Sequence, residues 1–410
     1  MKAKFEKIYK ANYGKLVSSL LSYFGLSQIS LAEDLVQETF VAALGAWEKE
    51  WPDHPEAWLF SVCKNKTISH LKKQGNRRQH IQSVYENHPL IDYQIEQVFL
   101  EHEINNHFLR LIFALCHPAL SEKMQIVLIL KYLLGFKVRQ IAYLLGSHEE
   151  GVKKTLLRGR KKMKTEGIHL HTPFVFQIQT RLQSVHQSIY LLFSEGYYSG
   201  KGKALINQAL CWDAVALAKL LQEESINNSV THALLALMYF NLSRLPSRMG
   251  QREMIIDLAS QNRDLWDQNL IQLGFYHLRA SKRGKVLSRY HIEAGISSVH
   301  CISPNFESTD WCMVLRYYDQ LVALSDSPFF QVNRCIAMAY CLGFSEALAE
   351  MEQLHLSNAL ERYHLFHITK GKFLRQLGKN RQALACFNQA FAHANHPEER
   401  DYIRALMEDF

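Results

Sequence analysis

Ser147-His148-Glu149-Glu150-Gly151-Val152-Lys153-Lys154-Thr155-Leu156-Leu157-Arg158-Gly159-Arg160-Lys161-Lys162-Met163-Lys164 is the stretch on which the reading of the fold turns. Residues 151–165 hold seven Lys or Arg and no acid, while Glu149 and Glu150 precede them. Acid first and base last complements a helix macrodipole, so a solvated surface helix would account for the charges alone. The flanking residues favour more. Ser121 suits the N-cap of a helix over 122–134 that Gly135 closes. A short apolar helix over 138–145 follows, Gly146 stops it, and Ser147 to Glu150 reads as a capping box. Helix, tight turn and capped second helix form the layout of a helix-turn-helix. The basic helix is then expected in a major groove, its first residues facing bases and its later Lys and Arg neutralising phosphates.

Upstream, Leu31, Leu35, Val36, Phe40, Ala43, Leu44 and Trp47 recur at helical spacing and predict one buried stripe. Glu33, Asp34, Gln37 and Glu38 are left on the outer side. The run Trp51-Pro52-Asp53-His54-Pro55 interrupts the pattern, and Pro55 suits the first turn of a new helix that ends in the polar stretch 72–80. Trp47, Trp51, Trp58 and Phe60 lie near Lys64, Lys66, Lys72 and Lys73. Aromatic faces beside cations suit unstacked bases of a single strand. For Trp47 and Trp58, on apolar stripes, core packing is the stronger reading; Trp51, in the loop, is freer.

The remaining chain is helical in period throughout, so the fold class is all-α. Its 410 residues are too many for one ordinary domain. Near the end, Gly371, Ala383, Phe387 and Ala390, with Pro397 after them, match the small, small, aromatic and small positions of a tetratricopeptide unit broken at Leu377-Gly378-Lys379-Asn380. A weaker echo spans Leu342 to Leu348. Stacked helical hairpins are expected from about residue 174. The net charge of +8 is concentrated in the N-terminal half, which favours a polyanionic partner. No two of the eight cysteines have C-x-x-C spacing, no signal peptide is evident, and no apolar run reaches the ~18 residues of a membrane span. The expectation is a soluble, reduced, cytoplasmic protein with most cysteines buried as small hydrophobes. Gly196 to Lys203 lacks the register of a phosphate loop, and no H-E-x-x-H or G-x-S-x-G occurs. No catalytic residue, metal ligand or cofactor is expected.

Several of these stretches together resemble a known family. Ala32-Glu33-Asp34-Leu35-Val36-Gln37-Glu38-Thr39-Phe40 resembles the conserved helix of region 2 of sigma factors. Pro55-Glu56-Ala57-Trp58-Leu59-Phe60, with Asn65-Lys66 and Leu71-Lys72-Lys73, is similar to the promoter-melting stretch after it, and Cys116 to Lys164 resembles region 4. Tyr190 to Tyr197, Leu234 to Met238, Gln261 to Asp267, Thr309-Asp310-Trp311 and Ser327-Pro328 resemble the extension of a subgroup of extracytoplasmic-function sigma factors with a tetratricopeptide-like tail.

The resemblance implies a region 2 helical bundle over 1–78, a linker over 79–106, the region 4 helix-turn-helix over 107–166 and the helical extension over 174–410. It further implies a subunit that binds core RNA polymerase at the β′ clamp helices and β flap, and that recognises and melts promoter DNA. Asp34, Gln37 and Glu38 would meet the clamp helices. Trp58, Asn65, Lys66, Lys72 and Lys73 would lie at the melted element, and Val152, Lys153, Lys154, Thr155 and Arg158 on duplex. The tail would regulate or support activity and offers a groove for a peptide or protein; no membrane is implied. Two residues depart from the pattern: Gly151 stands where Thr is common and Gln140 where Glu is frequent, which bears on promoter sequence more than on DNA binding. The rival reading is a helix-turn-helix regulator with a ligand- or peptide-sensing tail, and it leaves the acidic-faced helix at 31–48 without a task. A helical scaffold that has lost DNA binding is a further rival.

Overall fold

Helical periodicity becomes helix wherever the chain is described. The computed structural model describes residues 2–78, 93, 95–99, 101–145, 147–170, 175–197, 206–223, 228–248, 256–284, 286–325, 327–354, 363–394 and 397–408. Most of the expected linker, Gly146, Pro173 and the glycine-rich run after Tyr197 lie outside those residues. The chain forms two compact units, Met1–Glu195 and Gly196–Phe410.

In the first unit, α1 (Lys2–Phe24), α2 (Ile29–Trp47) and α3 (Pro55–Arg78) pack together. The stripe on α2 buries Ala32, Leu35, Val36, Phe40, Ala43 and Trp47, but Leu44 is 47% exposed and does not belong to it. Phe40 meets Phe5, Tyr9 and Tyr13 of α1, with ring centroids 4.6–6.4 Å apart. Then come α4 (Glu101–Leu115), α5 (Glu122–Leu128), a π turn (Ile129–Leu133), α6 (Val138–Leu144), α7 (Glu149–Thr165) and α8 (Val175–Tyr197). Ser121 occupies the N-cap position of α5, though its side chain makes no capping bond. Gly135, at φ 69°, closes the segment, as a residue without Cβ can.

The expected capping box does not form. His148 is the N-cap of α7 without a side-chain bond, and Glu150 turns instead to Lys153 at 2.8 Å. The ion pair one turn along outcompetes the reach back to the cap. Gln140 does what a Glu at its place would do, since its Oε1 accepts from the Lys137 backbone N–H at 2.8 Å and caps α6. Helix α8, expected to open the tail, packs largely in the first unit. Buried Gln125 of α5 donates to the carbonyls of His117 and Leu120 at 3.1 and 2.9 Å and accepts from Ser188 of α8 at 2.6 Å.

The second unit is built from α9 (Gln208–Glu223), α10 (Ser229–Ser243), α11 (Leu245–Arg248), α12 (Gln268–Ser281), α13 (Arg289–Ile302), α14 (Trp311–Leu324), α15 (Pro328–Cys341), α16 (Phe344–Gln353), α17 (His364–Gln376), α18 (Asn380–His393) and α19 (Pro397–Glu408). Small residues set the closest helix pairs. A Cβ on Gly371 would strike the Phe387 ring, and one on Gly274 the Phe240 ring. Hairpins α15–α16 and α17–α18 turn at Gly343 and Gly378, both at positive φ, and Ala383, Phe387 and Ala390 are buried as their spacing predicts.

The cysteine expectation needs one correction: Cys312 and Cys341 form a disulfide. Antiparallel packing of α14 on α15 brings their Cα atoms to 5.0 Å, a relation that 29 residues of separation hide from a local reading. Among the described residues, the other cysteines are free thiols, and all but half-buried Cys301 are buried. Among the described residues, no helix is long and apolar enough to cross a membrane.

Two measurements follow. A cross-link across a loop of this length stabilises by about 3–4 kcal/mol at most in the chain-entropy view, so a thermal melt with dithiothreitol should lower the midpoint of the second unit. Cys312→Ser should melt alike with and without reductant. His277 is held with its Nδ1 2.8 Å from that of His232, and burial first, then His232 and Lys219, pushes its pKa to about 4. A depressed histidine binds its proton in the unfolded chain first, so this stability is complete above about pH 6.5 and lost as the pH falls towards 4. Urea titrations across that range should show it, and His277→Gln should flatten the dependence.

Candidate polymerase and nucleic-acid interface

Helix α7 has two faces. Val152, Leu156, Gly159 and Met163, at spacings of four, three and four, are buried. Gly159 allows the Leu128 side chain of α5 to seat against the helix. The opposite face exposes Lys153, Lys154, Arg158, Lys161 and Lys164 around Leu157, which is 62% exposed. A helix pinned by one face with five of its seven cations exposed on the other is the arrangement a groove requires. Val152, expected on duplex, is corrected by this geometry: at 2% exposure it fills the interior and cannot reach a base edge. Thr155 is half-buried, and its hydroxyl donates to the Gly151 carbonyl at 2.8 Å. Lys153, Lys154 and Arg158 remain presented to solvent.

On α2, Asp34, Gln37 and Glu38 are exposed together. Gln37 donates to Glu33 at 3.1 Å, and Glu38 lies 3.5 Å from Lys66 of α3. That pair brings one residue of the expected polymerase set beside one of the expected melting set. Asn65 and Lys73 are exposed, and Lys72 is half-buried. Trp58 is half-buried with its ring edge-on to Trp47 at 5.4 Å, so it contributes to the core as its apolar stripe suggested. Trp51 is less free than its loop position implied: it leans on Trp47 at 5.0 Å under the Lys4 ammonium, 4.5 Å from the ring centre.

Comparison with known proteins fits this geometry. The family described as "Sigma-70 region 2" matches residues 8–77, and "Sigma-70, region 4" matches 110–163. A family of unknown function, DUF6596, matches 181–282. An uncharacterized protein of Rhizobium meliloti, R00370, is 30% identical over 398 residues, 96% of this chain and 92% of that protein. The chain belongs to the same family. It carries sigma-70 regions 2 and 4. The ECF RNA polymerase sigma factor SigX of Bacillus subtilis is 24% identical over 169 residues, which is 40% of this chain and 84% of SigX. No solved structure matches. Among the described residues no group of His, Cys, Asp and Glu is placed to hold a metal ion.

Within the first unit the two sigma regions touch. Tyr9 of region 2 donates to the Gly135 carbonyl at 3.0 Å, and Arg160 of the basic helix donates to Ser30 at 2.9 Å. Lys131, on the π turn, forms an ion pair with Glu33, one residue before the exposed acidic face of α2. Both partners are largely buried, so the pair is shielded from solvent. Sequence reading passed over Lys131 because it stands alone in the apolar run 126–134; a single cation in such a run is the signal that could have found it. Backbone contact is as close. Gly14 of α1 faces the Leu133 carbonyl and the Phe108 ring, and a methyl group there would collide with both. Gly14→Ala should therefore force the regions apart and cost about 1–3 kcal/mol, read as a lower urea midpoint for the first unit.

Proposed function

We propose that this protein is a sigma factor of the extracytoplasmic-function type, which binds core RNA polymerase, recognises and melts specific promoters and so initiates transcription. The observation that carries this is the exposed cationic face of α7, on a helix locked from behind into a helix-turn-helix. Lys153, Lys154 and Arg158 would neutralise phosphates and read the upstream promoter element, with Thr155 alongside. In region 2, Asp34, Gln37 and Glu38 would dock on the β′ clamp helices, and region 4 would meet the β flap. Asn65, Lys66, Lys72, Lys73 and the edge of Trp58 would face the opening bubble, where turning a base out of the stack costs a few kcal/mol.

The second unit is read as a tetratricopeptide-like extension that regulates or supports the sigma regions. Its successive hairpins and the Gly371–Phe387 packing support that reading, and a concave helical surface can take a peptide or protein. The polymerase partner assigns the chain to the cytoplasm.

Run-off transcription with purified core polymerase tests the proposal. Lys153→Glu and Arg158→Glu, both at exposed positions, should each reduce promoter-specific transcript at least tenfold. Each should also lower the salt slope of promoter binding by about one phosphate contact. Undiminished transcription by both variants would remove the groove assignment. Failure of the unaltered chain to associate with core polymerase would remove the sigma reading itself.

A further inference from the structure

The second unit lines an open cavity of about 730 Å³ for which polymerase and promoter binding have no use. Its size lies inside the roughly 300–1,000 Å³ range of small-molecule sites. Three separated stretches of the sequence meet there, represented by Tyr197, Gln261 and Trp311. One wall is aromatic. Trp311 stacks on Tyr340 with ring centroids 4.7 Å apart, and Phe306 closes edge-on against both, at 4.9 and 5.0 Å.

The cavity also carries charged groups. Asp257 and Glu399 line it together with Arg244, Arg248, Lys372 and Arg375. Both acids are committed. Asp257 pairs with Lys372 at 2.6 Å and accepts from Tyr402 at 3.0 Å, while Glu399 lies 3.5 Å from His364. Arg244 has no carboxylate within ion-pair distance among the described residues. Its Nε reaches only Gln261 Oε1, at 3.4 Å, and its guanidinium lies over Trp266, 5.4 Å from the ring centre. Arg263 lies over the same indole at 5.0 Å. It is 8% exposed, and its terminal nitrogens donate to the carbonyls of His300 and Ser303 and the hydroxyl of Thr309. Burial and the neighbouring Arg244 lower its pKa. Two guanidinium groups thus share one ring; Glu307 acts on Arg263, no carboxylate among the described residues pairs with Arg244, and partly desolvated charge of one sign is costly unless an anion joins it.

A second polar group points the same way. His300 lines the cavity at 6% exposure, edge-on to Trp311 at 5.3 Å, and its Nδ1 has no hydrogen-bond partner among the described residues. Burial, with Arg244 and Arg263 nearby, pushes its pKa to about 3, so the ring is neutral at physiological pH and can offer one N–H to an acceptor.

We propose that this cavity binds a small aromatic carboxylate, its acid group held by Arg244 and His300 and its ring laid on the Trp311–Tyr340 wall. The guanidinium fork matches a carboxylate in two parallel bonds, and the flat ring continues the aromatic stack. A neutral aromatic of the same shape would leave Arg244 uncompensated. A bare acid would leave the wall uncovered.

Isothermal titration of the full chain with indole-3-acetate, 4-hydroxyphenylacetate, tryptophol, acetate and the acidic peptide Asp-Glu-Trp tests this. One or both aromatic acids should bind at least tenfold more tightly than neutral tryptophol and than acetate, a comparison that needs no variant. Arg244→Gln and His300→Phe should each weaken that binding at least tenfold. Tyr340→Ala, at a position 43% exposed and therefore tolerant of truncation, should weaken it about fivefold even if the buried-site variants fail to fold. The exposed Lys379→Gln should leave it unchanged. Tryptophol binding as tightly as the acids, affinity indifferent to both Tyr340→Ala and Arg244→Gln, binding of the peptide alone, or binding of no member of the panel would each overturn the proposal.

Discussion

Helix α1 and the π turn at Ile129–Leu133 approach so closely that only a glycine at position 14 fits between them, and the arrangement of both sigma regions follows from that contact. The π turn directs the Leu133 carbonyl at α1 and places Lys131 where it can reach Glu33 of α2. With the rear of region 4 seated this way, the cationic side of α7 and the acidic side of α2 both stay in water. Apolar burial supplies the bulk of the stability, through Phe40 and the tyrosines of α1 on one side and Val152, Leu156 and Met163 on the other. The glycine contact and the shielded ion pair contribute geometry: they decide which faces remain free.

Much of this was legible in the sequence because it rests on period and charge. The stripe on α2, the basic face of α7, the turn at Gly135 and the hairpin at Gly378 all depend on residues within one or two helical turns of each other. What escaped depends on partners far along the chain. Val152 shows as one apolar residue among cations, and only the packing of α7 on α5 decides that it faces inward. Lys131 is unremarkable until α2 is set beside it. Cys312 and Cys341 sit in separate helices, and only their antiparallel pairing brings the sulfurs together. The capping box at Ser147 failed for a local reason, because two acids there had a lysine one turn ahead to choose instead.

Region 2 and region 4 thus owe their legibility to surface chemistry, whereas the motifs of the second unit are internal. The Gln261 to Asp267 stretch reads as mixed polarity in isolation. In the fold four of its residues have separate structural tasks. Asn262 and Asp267 cap the segments that follow them, Trp266 donates to buried Ser247 at 2.8 Å, and Arg263 ties together the end of α13 and the turn before α14. Residues that hold a bend from inside leave no periodic trace.

The π turn also sets what kinds of sequence change region 4 can absorb. Its wider coil accommodates one more residue than an α-helical turn would over the same rise. Removing a residue there would restore ordinary pitch and swing everything downstream by about 100° about the helix axis, carrying the basic helix away from its contact with Ser30 at the start of α2. Side chains around this point can drift as long as volume is kept, but chain length cannot. Substitutions on the outer face of α7 leave this geometry untouched, whereas insertions and deletions are tolerated only in the connections outside the turn.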